Sequence, residues 1–357
     1  MGGKDFAFIE LTDGSGPNTL QVVVDSSMPN FEEVAKCKVG TSFKCKGKLI
    51  KSPAKGQLVE LQVCSAERHA VKIIGECSGA DFPLAKKKHS VEYLRDIAHL
   101  RPRTKLISAV TRVRNNLAYA THRFFQERGF LYIHTPILTA SDCEGAGEMF
   151  QVTTMMPEPQ QPITKVPMYE YVGQELEETK EEPEKKKGKK DKKKKDQAQE
   201  EAPVEEAPKE MIPLDQRKVN FKKDFFGKPA NLTVSGQLSV ENFCCSVGDV
   251  YTFGPTFRAE NSNTSRHLAE FWMIEPELCF ADLDDVMDCA EDYAKFCVRY
   301  VLQNNADDIE YFNQWVDTTK QLKARLEQVA TVPFKRITYT DAIALLETHL
   351  KEKKVKF

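Results

Sequence analysis

The chain has 357 residues, 41% of them hydrophobic and 29% charged, with a formal net charge of -2 at pH 7. That length is enough for two domains with separate cores, and so small a net charge says little about partners. No apolar run reaches the roughly 20 residues of a membrane helix, and the opening "MGGKDFAFIEL" lacks the order of a signal peptide, so we expect a cytosolic protein that enters no membrane.

Residues 1–80 read as five short strands, "FAFIEL", "TLQVVVD", "SFKCKGKLI", "QLVELQVCSA" and "AVKIIG", separated by Gly, Pro, Asn and Asp clusters, which predicts a small β-barrel. On "FAFIEL" the apolar residues Ala7, Ile9 and Leu11 alternate inward and leave Phe6 and Phe8 on the opposite face, where aromatic rings are candidate stacking platforms for bases. The lysines at 44, 46, 48, 51 and 55 could meet phosphate or form an ordinary solvated face. A linker spans 81–100, and from 101 the pattern changes to helices alternating with strands through "LISAVTRVRNNLAYATHRFFQERG" and "FLYIHTPILT". Residues 175–210 are rich in Lys and Glu, contain no aromatic residue and read as a disordered insertion, either an inert tether or a basic hook for RNA phosphates. It interrupts one folded domain made of 101–174 and 211–357. After it, "NLTVSGQLSVENFCCSVGDVYTFGPTFRAE" returns to alternating patterning and "FADLDDVMDCAEDYAKFCVRYVLQNN" predicts an amphipathic helix. The fold class expected is α+β. The ten cysteines are scattered, contain no C-x-x-C pair and read as reduced thiols without a role.

The segment "FRAENSNTSRHLAEF" packs two arginines, a histidine and two glutamates between phenylalanines. A strand period places Arg258 and Glu260 on one face and Tyr251, Phe253 and Phe257 on the other, while "EFWMIEPEL" aligns Phe271, Met273, Glu275 and Glu277. A hairpin would then bring a guanidinium, carboxylates and a ring onto one wall, with Arg266 and His267 in the loop above. Such a wall suits a nucleotide, through stacking and charge-assisted bonds to phosphate; patterning alone equally allows a solvated hairpin whose charges pair with each other.

The segment resembles motif 2 of the class II aminoacyl-tRNA synthetases, and other stretches extend the resemblance. "RVRNNLAYATHRFFQERGFLYIHTPILTAS" resembles motif 1, a helix and a strand with an embedded proline, Pro136. "DCEGAGEMFQV" resembles the loop that closes over the amino acid, and "TVSGQLSVE" the substrate strand of the aspartate and asparagine branch. The resemblance implies an incomplete OB-fold anticodon-binding barrel at 1–80, a class II antiparallel sheet flanked by helices, and a homodimer formed through motif 1. It implies ATP as substrate with Mg2+, and a tRNA as partner. Arg258 would bind the α-phosphate, Phe271 would stack on adenine, His267 would meet the outer phosphates, and Arg266 would also bind ATP. Glu260 would help hold ATP and receive the tRNA terminus. Glu144 and Glu275 would hold the substrate ammonium, and Gln237 would line the amino-acid site. In the barrel, Phe8 and Gln21 would contact anticodon bases. Metal ligands are left unassigned.

Two amino acids compete as substrate. In the aspartate enzymes the stretch resembles S-P-Q-L-x-K-Q, whose lysine pairs with the substrate carboxylate; here it is "SGQLSVE", with Val240 at the lysine's place and Glu241 after it. Without that cation an aspartate side chain would be buried unpaired, whereas Glu241 can accept from an amide NH2. Asparagine is therefore expected, activated to asparaginyl adenylate and esterified to tRNA. The alternatives are an aspartyl enzyme and a tRNA-binding paralogue without catalysis. No glycine-rich third motif is found before the sequence stops, so we expect a piece of a longer enzyme that is weak or inactive alone.

Overall fold

The structure, a computed structural model, describes residues 5–352 apart from 55, 66–67, 80, 85–86, 88, 144, 146–147, 156–220, 263 and 265–266. Glu144, Arg266, Lys55 and the insertion at 175–210 lie outside the described residues. The chain divides into two compact units, Met1–Gly129 with Phe280–Phe357, and Phe130–Cys279.

The first unit opens with β1 (Phe6–Leu11), β2 (Leu20–Asp25), a short helix α1 (Phe31–Lys36), β3 (Ser42–Lys46), β4 (Lys48–Lys51), β5 (Val59–Val63) and β6 (Ala70–Gly75). One sheet has the order β1-β2-β5-β4, with β2 and β5 parallel, and a second pairs β3 with β6. The alternation read from "FAFIEL" holds: Ala7 is buried, Ile9 and Leu11 pack on the same core, and Phe6 and Phe8 are exposed. Val22, Val24, Val63 and Val71 join that core, with Met28 and Val34, so residues of both sheets share it. The expected third strand is in fact two. It breaks at Gly47, where a Cβ would stand 2.1 Å from the Gln62 carbonyl oxygen; only glycine lets the backbone pass there and hand β4 to a different sheet.

After α2 (Val91–Asp96) comes the 23-residue α3 (Lys105–Glu127), started by the Thr104 hydroxyl accepting from the Ile107 N–H. Its buried residues Ala109, Ala120, Thr121, Phe124 and Phe125 recur at helical spacing, as the sequence predicts.

In the second unit, the expected strand "FLYIHTPILT" is not continuous. It forms β7 (Leu131–Tyr132) and β8 (Leu138–Thr139) in different sheets, because Pro136 has no N–H to offer a ladder. With β9 (Gln151–Val152) and β10 (Ala230–Leu232), β8 makes a three-stranded sheet in the order β8-β10-β9. Asp224 ties down the chain after β9, accepting from the Thr154 N–H and hydroxyl at 2.9 and 2.8 Å and from the Phe225 N–H. These bonds, the Thr154 N–H first, hold its carboxyl down at about 2.

The stretch after Gly236, read as a strand, is the helix α4 (Gln237–Val247), a correction with a clear cause. Val240 is its one fully buried side chain, Gln237 and Glu241 pair one turn apart, and Gly248 at φ 90° ends it in a conformation that glycine adopts freely. The alternation of apolar residues there was a coincidence of a helix with a narrow buried face. β11 (Val250–Phe257) and β12 (Glu270–Glu277) then form an antiparallel hairpin, with β7 parallel on the other side of β11. The hairpin is the expected one.

The chain returns to the first unit with α5 (Leu283–Asn304), α6 (Ala306–Trp315), α7 (Leu322–Thr331) and α8 (Tyr339–Lys351). The predicted amphipathic helix is α5, opened by a reciprocal capping box between Asp282 and Asp285. Tyr293 stacks on Phe125 at 5.2 Å, and its hydroxyl meets that of Thr121 at 2.8 Å. On α3, Arg112 makes a fork with the buried Asp308 of α6, at 3.1 Å from Nε and 2.6 Å from Nη2, while its Nη1 donates to the Gly14 carbonyl at 2.7 Å. That one guanidinium fastens three segments of the unit. Among the described residues no helix is long and apolar enough to cross a membrane.

Candidate active site

The hairpin β11–β12 builds one wall of the site by register alone. Thr252 faces Glu275, Gly254 faces Met273 and Thr256 faces Phe271, so these side chains share a face of the sheet. Gly254 leaves open space between Met273 and the solvent side; a Cβ there would meet nothing within 4 Å.

At the loop end of the hairpin, Arg258 still pairs like a strand residue, its N–H donating to the Ala269 carbonyl at 3.1 Å. Its guanidinium carbon lies 5.7 Å from the centre of the Phe271 ring. The expected union of guanidinium and ring is present, in the range of a cation–π contact. Glu260 departs from expectation: β11 ends at Phe257, and Glu260 belongs to the loop, not to the strand face. There its carboxylate lies 3.4 Å from His267 Nε2, an ion pair whenever the imidazole is protonated, and the other ring nitrogen of His267 contacts the Thr264 hydroxyl. The Ala259 N–H donates to the Glu148 carbonyl at 2.8 Å, which brings Glu148, ahead of β9, against this turn.

Towards the open end, Glu275 is fixed by a cradle that sequence reasoning did not single out. The Ser235 hydroxyl donates to Oε1, and the Gly236 N–H lies 3.1 Å from Oε2 and 3.3 Å from Oε1. Ser235 Oγ also accepts from the Gln237 N–H at 3.1 Å, at the start of α4. The one signal in the sequence was the Ser-Gly pair ahead of a helix start. Gly236 is needed for room as well as for its N–H: a Cβ would lie 2.8 Å from Thr252 Cγ2 and 2.9 Å from Thr135 Oγ1. Glu275, Gly236, Thr135, Thr252 and Trp272 line a common pocket.

From α4, Gln237 donates to Glu241 at 2.8 Å, which fixes both side chains. Glu277, at the end of β12, has its carboxyl pushed up by burial and then by the negative charges of Glu241 and Glu275. Three carboxyl groups crowd one region, an environment that favours an ammonium or other hydrogen-bond donor. Among the described residues no group of three or more His, Cys, Asp or Glu side chains is arranged to hold a metal ion. Mg2+ needs only one or two carboxylates where phosphates complete its shell, and the exposed Glu260 suits such a half-built site.

In the first unit, Phe8 is 49% exposed on β1 and Gln21 is half-buried on β2. Phe8 pairs with Val23 and Gln21 with Glu10, which puts Phe8 and Gln21 on the same outer face of the sheet.

Residues 90–197 and 211–357 match the family described as tRNA synthetases class II (D, K and N). The chain belongs to that family. Its curated relatives include the asparagine–tRNA ligase of Protochlamydia amoebophila, 46% identical over 345 residues, and that of Clostridium tetani, 44% identical over 344 residues. Each alignment covers 96% of this chain and 62% of the relative, so the chain spans somewhat under two thirds of these class II enzymes. Among solved structures, asparaginyl-tRNA synthetase from Pyrococcus horikoshii complexed with asparaginyl-adenylate superposes with a TM-score of 0.67 at 24% identity. It covers 100% of this chain and 62% of its own. That likeness makes the mixed α and β architecture the class II synthetase fold.

Proposed function

We propose that this chain is part of an asparagine–tRNA ligase. The observation that carries the reading is the acidic pocket end: Glu275 held by Ser235 and Gly236, crowded by Glu241 and Glu277, with Val240 fully buried at the place where the aspartyl pattern has its lysine. The identity of 44–46% to relatives named asparagine–tRNA ligase supports the same substrate. Glu275 and Glu144 hold the substrate ammonium, and Glu241, steadied by Gln237, accepts from the side-chain amide. At the other end of the hairpin Phe271 stacks on adenine, Arg258 binds the α-phosphate, His267 meets the outer phosphates, and Arg266 also binds ATP.

In the first step the asparagine carboxylate attacks the α-phosphorus of ATP, the bond to the bridging oxygen breaks and pyrophosphate leaves. In the second, a ribose hydroxyl at the tRNA terminus, received near Glu260, attacks the activated carbonyl and AMP departs. Positioning supplies most of the rate, since the hairpin fixes both ends of the reacting pair, and Arg258 stabilises the charge that grows on the α-phosphate. Mg2+ brought in with ATP would neutralise further charge, with Glu260 the carboxylate that could help hold it.

The front strands act as an OB-fold that reads the anticodon, with Phe8 stacking and Gln21 hydrogen bonding. Motif 1, with Val110, Leu117 and Tyr119 exposed on α3, forms a homodimer. The enzyme works in the cytosol. The decisive experiment is pyrophosphate exchange into ATP by the longest natural product and by this chain, with asparagine and aspartate supplied separately. Exchange with asparagine alone is expected from the longer protein. Exchange with aspartate would overturn the reading of Val240 and Glu241, and silence of the longer protein with both would overturn the ligase itself.

A further inference from the structure

Two thiols stand outside this chemistry and close to it. Cys244 lies in the last turn of α4, three residues after Glu241, and Cys279 lies two residues past the end of β12 at Glu277. Their sulfurs are 3.4 Å apart. The approach is ordered on both sides: the Cys279 thiol donates to the Cys244 carbonyl at 2.9 Å, and the Cys279 N–H is held by Asp249 at 2.7 Å. Both residues are partly exposed, so a small reagent can reach them. A disulfide of about 2.05 Å requires the sulfurs to close by only about 1.4 Å, within reach of side-chain rotation.

We propose that Cys244 and Cys279 form a reversible disulfide, a thiol-modification site oxidised by small disulfides of the glutathione class. Cys279 gives up its proton to solvent and its thiolate attacks one sulfur of the reagent; the S–S bond of the reagent breaks and one small thiolate leaves. Cys244 then loses its proton, attacks the Cys279 sulfur of the mixed disulfide and expels the second small thiolate. Two protein thiols are oxidised and one small disulfide is reduced to two thiols, which regain the two protons. The order follows from the surroundings: burial, then Cys279 and the charge of Glu277, push the Cys244 thiol up, which makes it the resolving partner.

The bond would fasten the helix that carries Gln237 and Glu241 to the strand that carries Glu275 and Glu277, across a sequence separation of 35. The test is to equilibrate the reduced chain with oxidised glutathione and read it by intact mass, peptide mapping and thermal unfolding. The expected result is loss of two hydrogens and a cross-linked peptide joining Cys244 to Cys279. The unfolding midpoint should rise by roughly 5–10 °C, and dithiothreitol should reverse all of these. Cys244→Ser should stop at a glutathione adduct on Cys279, whereas Cys245→Ser should leave the cross-link intact. Free thiols at both positions after equilibration, a stable glutathione adduct on Cys279 in the unsubstituted chain, a cross-link through Cys245, or an unchanged midpoint would each overturn the proposal. None of these readouts needs catalysis, so its failure is distinct from failure of the ligase reading.

Discussion

Replacing Gly236 by alanine adds one methyl group at the most confined backbone position of the site. The new carbon would stand 2.8 Å from Thr252 Cγ2, 2.9 Å from Thr135 Oγ1 and 3.3 Å from Glu275 Oε2. None of these neighbours is a free side-chain end: Thr252 is 3% exposed in the middle of β11, and the Thr135 and Thr252 hydroxyls bond each other at 3.1 Å. Relief therefore requires the turn at 235–236 to move away from β11. Overpacking of this kind costs about 1–3 kcal/mol. The same movement lengthens the bonds from the Gly236 N–H to the Glu275 carboxylate, and hydrogen bonds to charged groups contribute about 1.5–3 kcal/mol. We expect the variant to lose about 2–4 kcal/mol of stability, combining these with partial relaxation. The assay is urea unfolding followed by Trp272 fluorescence in a Trp315→Phe background, since these are the chain's two tryptophans. Gly254→Ala on the same hairpin, with nothing within 4 Å of its new Cβ, serves as the control and should be neutral or stabilising by up to about 1 kcal/mol. If the two variants unfolded within about 0.5 kcal/mol of each other, the argument that Gly236 is held against β11 would be refuted.

Arg112→Ala should cost about 3–5 kcal/mol, because Asp308, only 4% exposed, would keep its charge and lose the fork; Asp308→Asn in that background should recover part of the loss in equilibrium unfolding. Asp224 has a carboxyl depressed from 3.8 to about 2, so its stabilising bonds are fully present above the unfolded value and fade as pH falls towards about 2. The stability gap between the chain and Asp224→Asn, measured by unfolding at stepped pH, should therefore be constant above about pH 5 and shrink between pH 4 and pH 2. Phe8→Ala should weaken tRNA binding by about 1–3 kcal/mol in a filter-binding titration, with little change in folding stability, as an exposed stacking ring would; unchanged binding would remove Phe8 from the RNA surface.

What the sequence determined by itself was everything carried by local periodicity and by motif. The alternation in "FAFIEL" decides which face of β1 is buried, because successive strand side chains point to opposite sides whatever the neighbours do. The apolar stripes of α3 and α5 and the hairpin that joins Arg258 to Phe271 were legible for the same reason. Tertiary structure decided the rest. Residues 237–241 alternate well enough to pass for a strand, and the burial of Val240, the Gln237–Glu241 pair and the Ser235 hydroxyl at the Gln237 N–H go with the helix instead. The break at Pro136 sends β7 and β8 to different sheets, and the approach of Gln62 to Gly47 splits another strand; both depend on partners far along the chain. Glu260 leaves the strand face because the ladder ends one residue before Arg258. The cradle of Ser235 and Gly236 around Glu275 bridges about forty residues of sequence, and the raised carboxyl of Glu277 needs Glu241 from α4 beside it. Charge crowding and close backbone contact are sums over neighbours in space, and no window of sequence contains them.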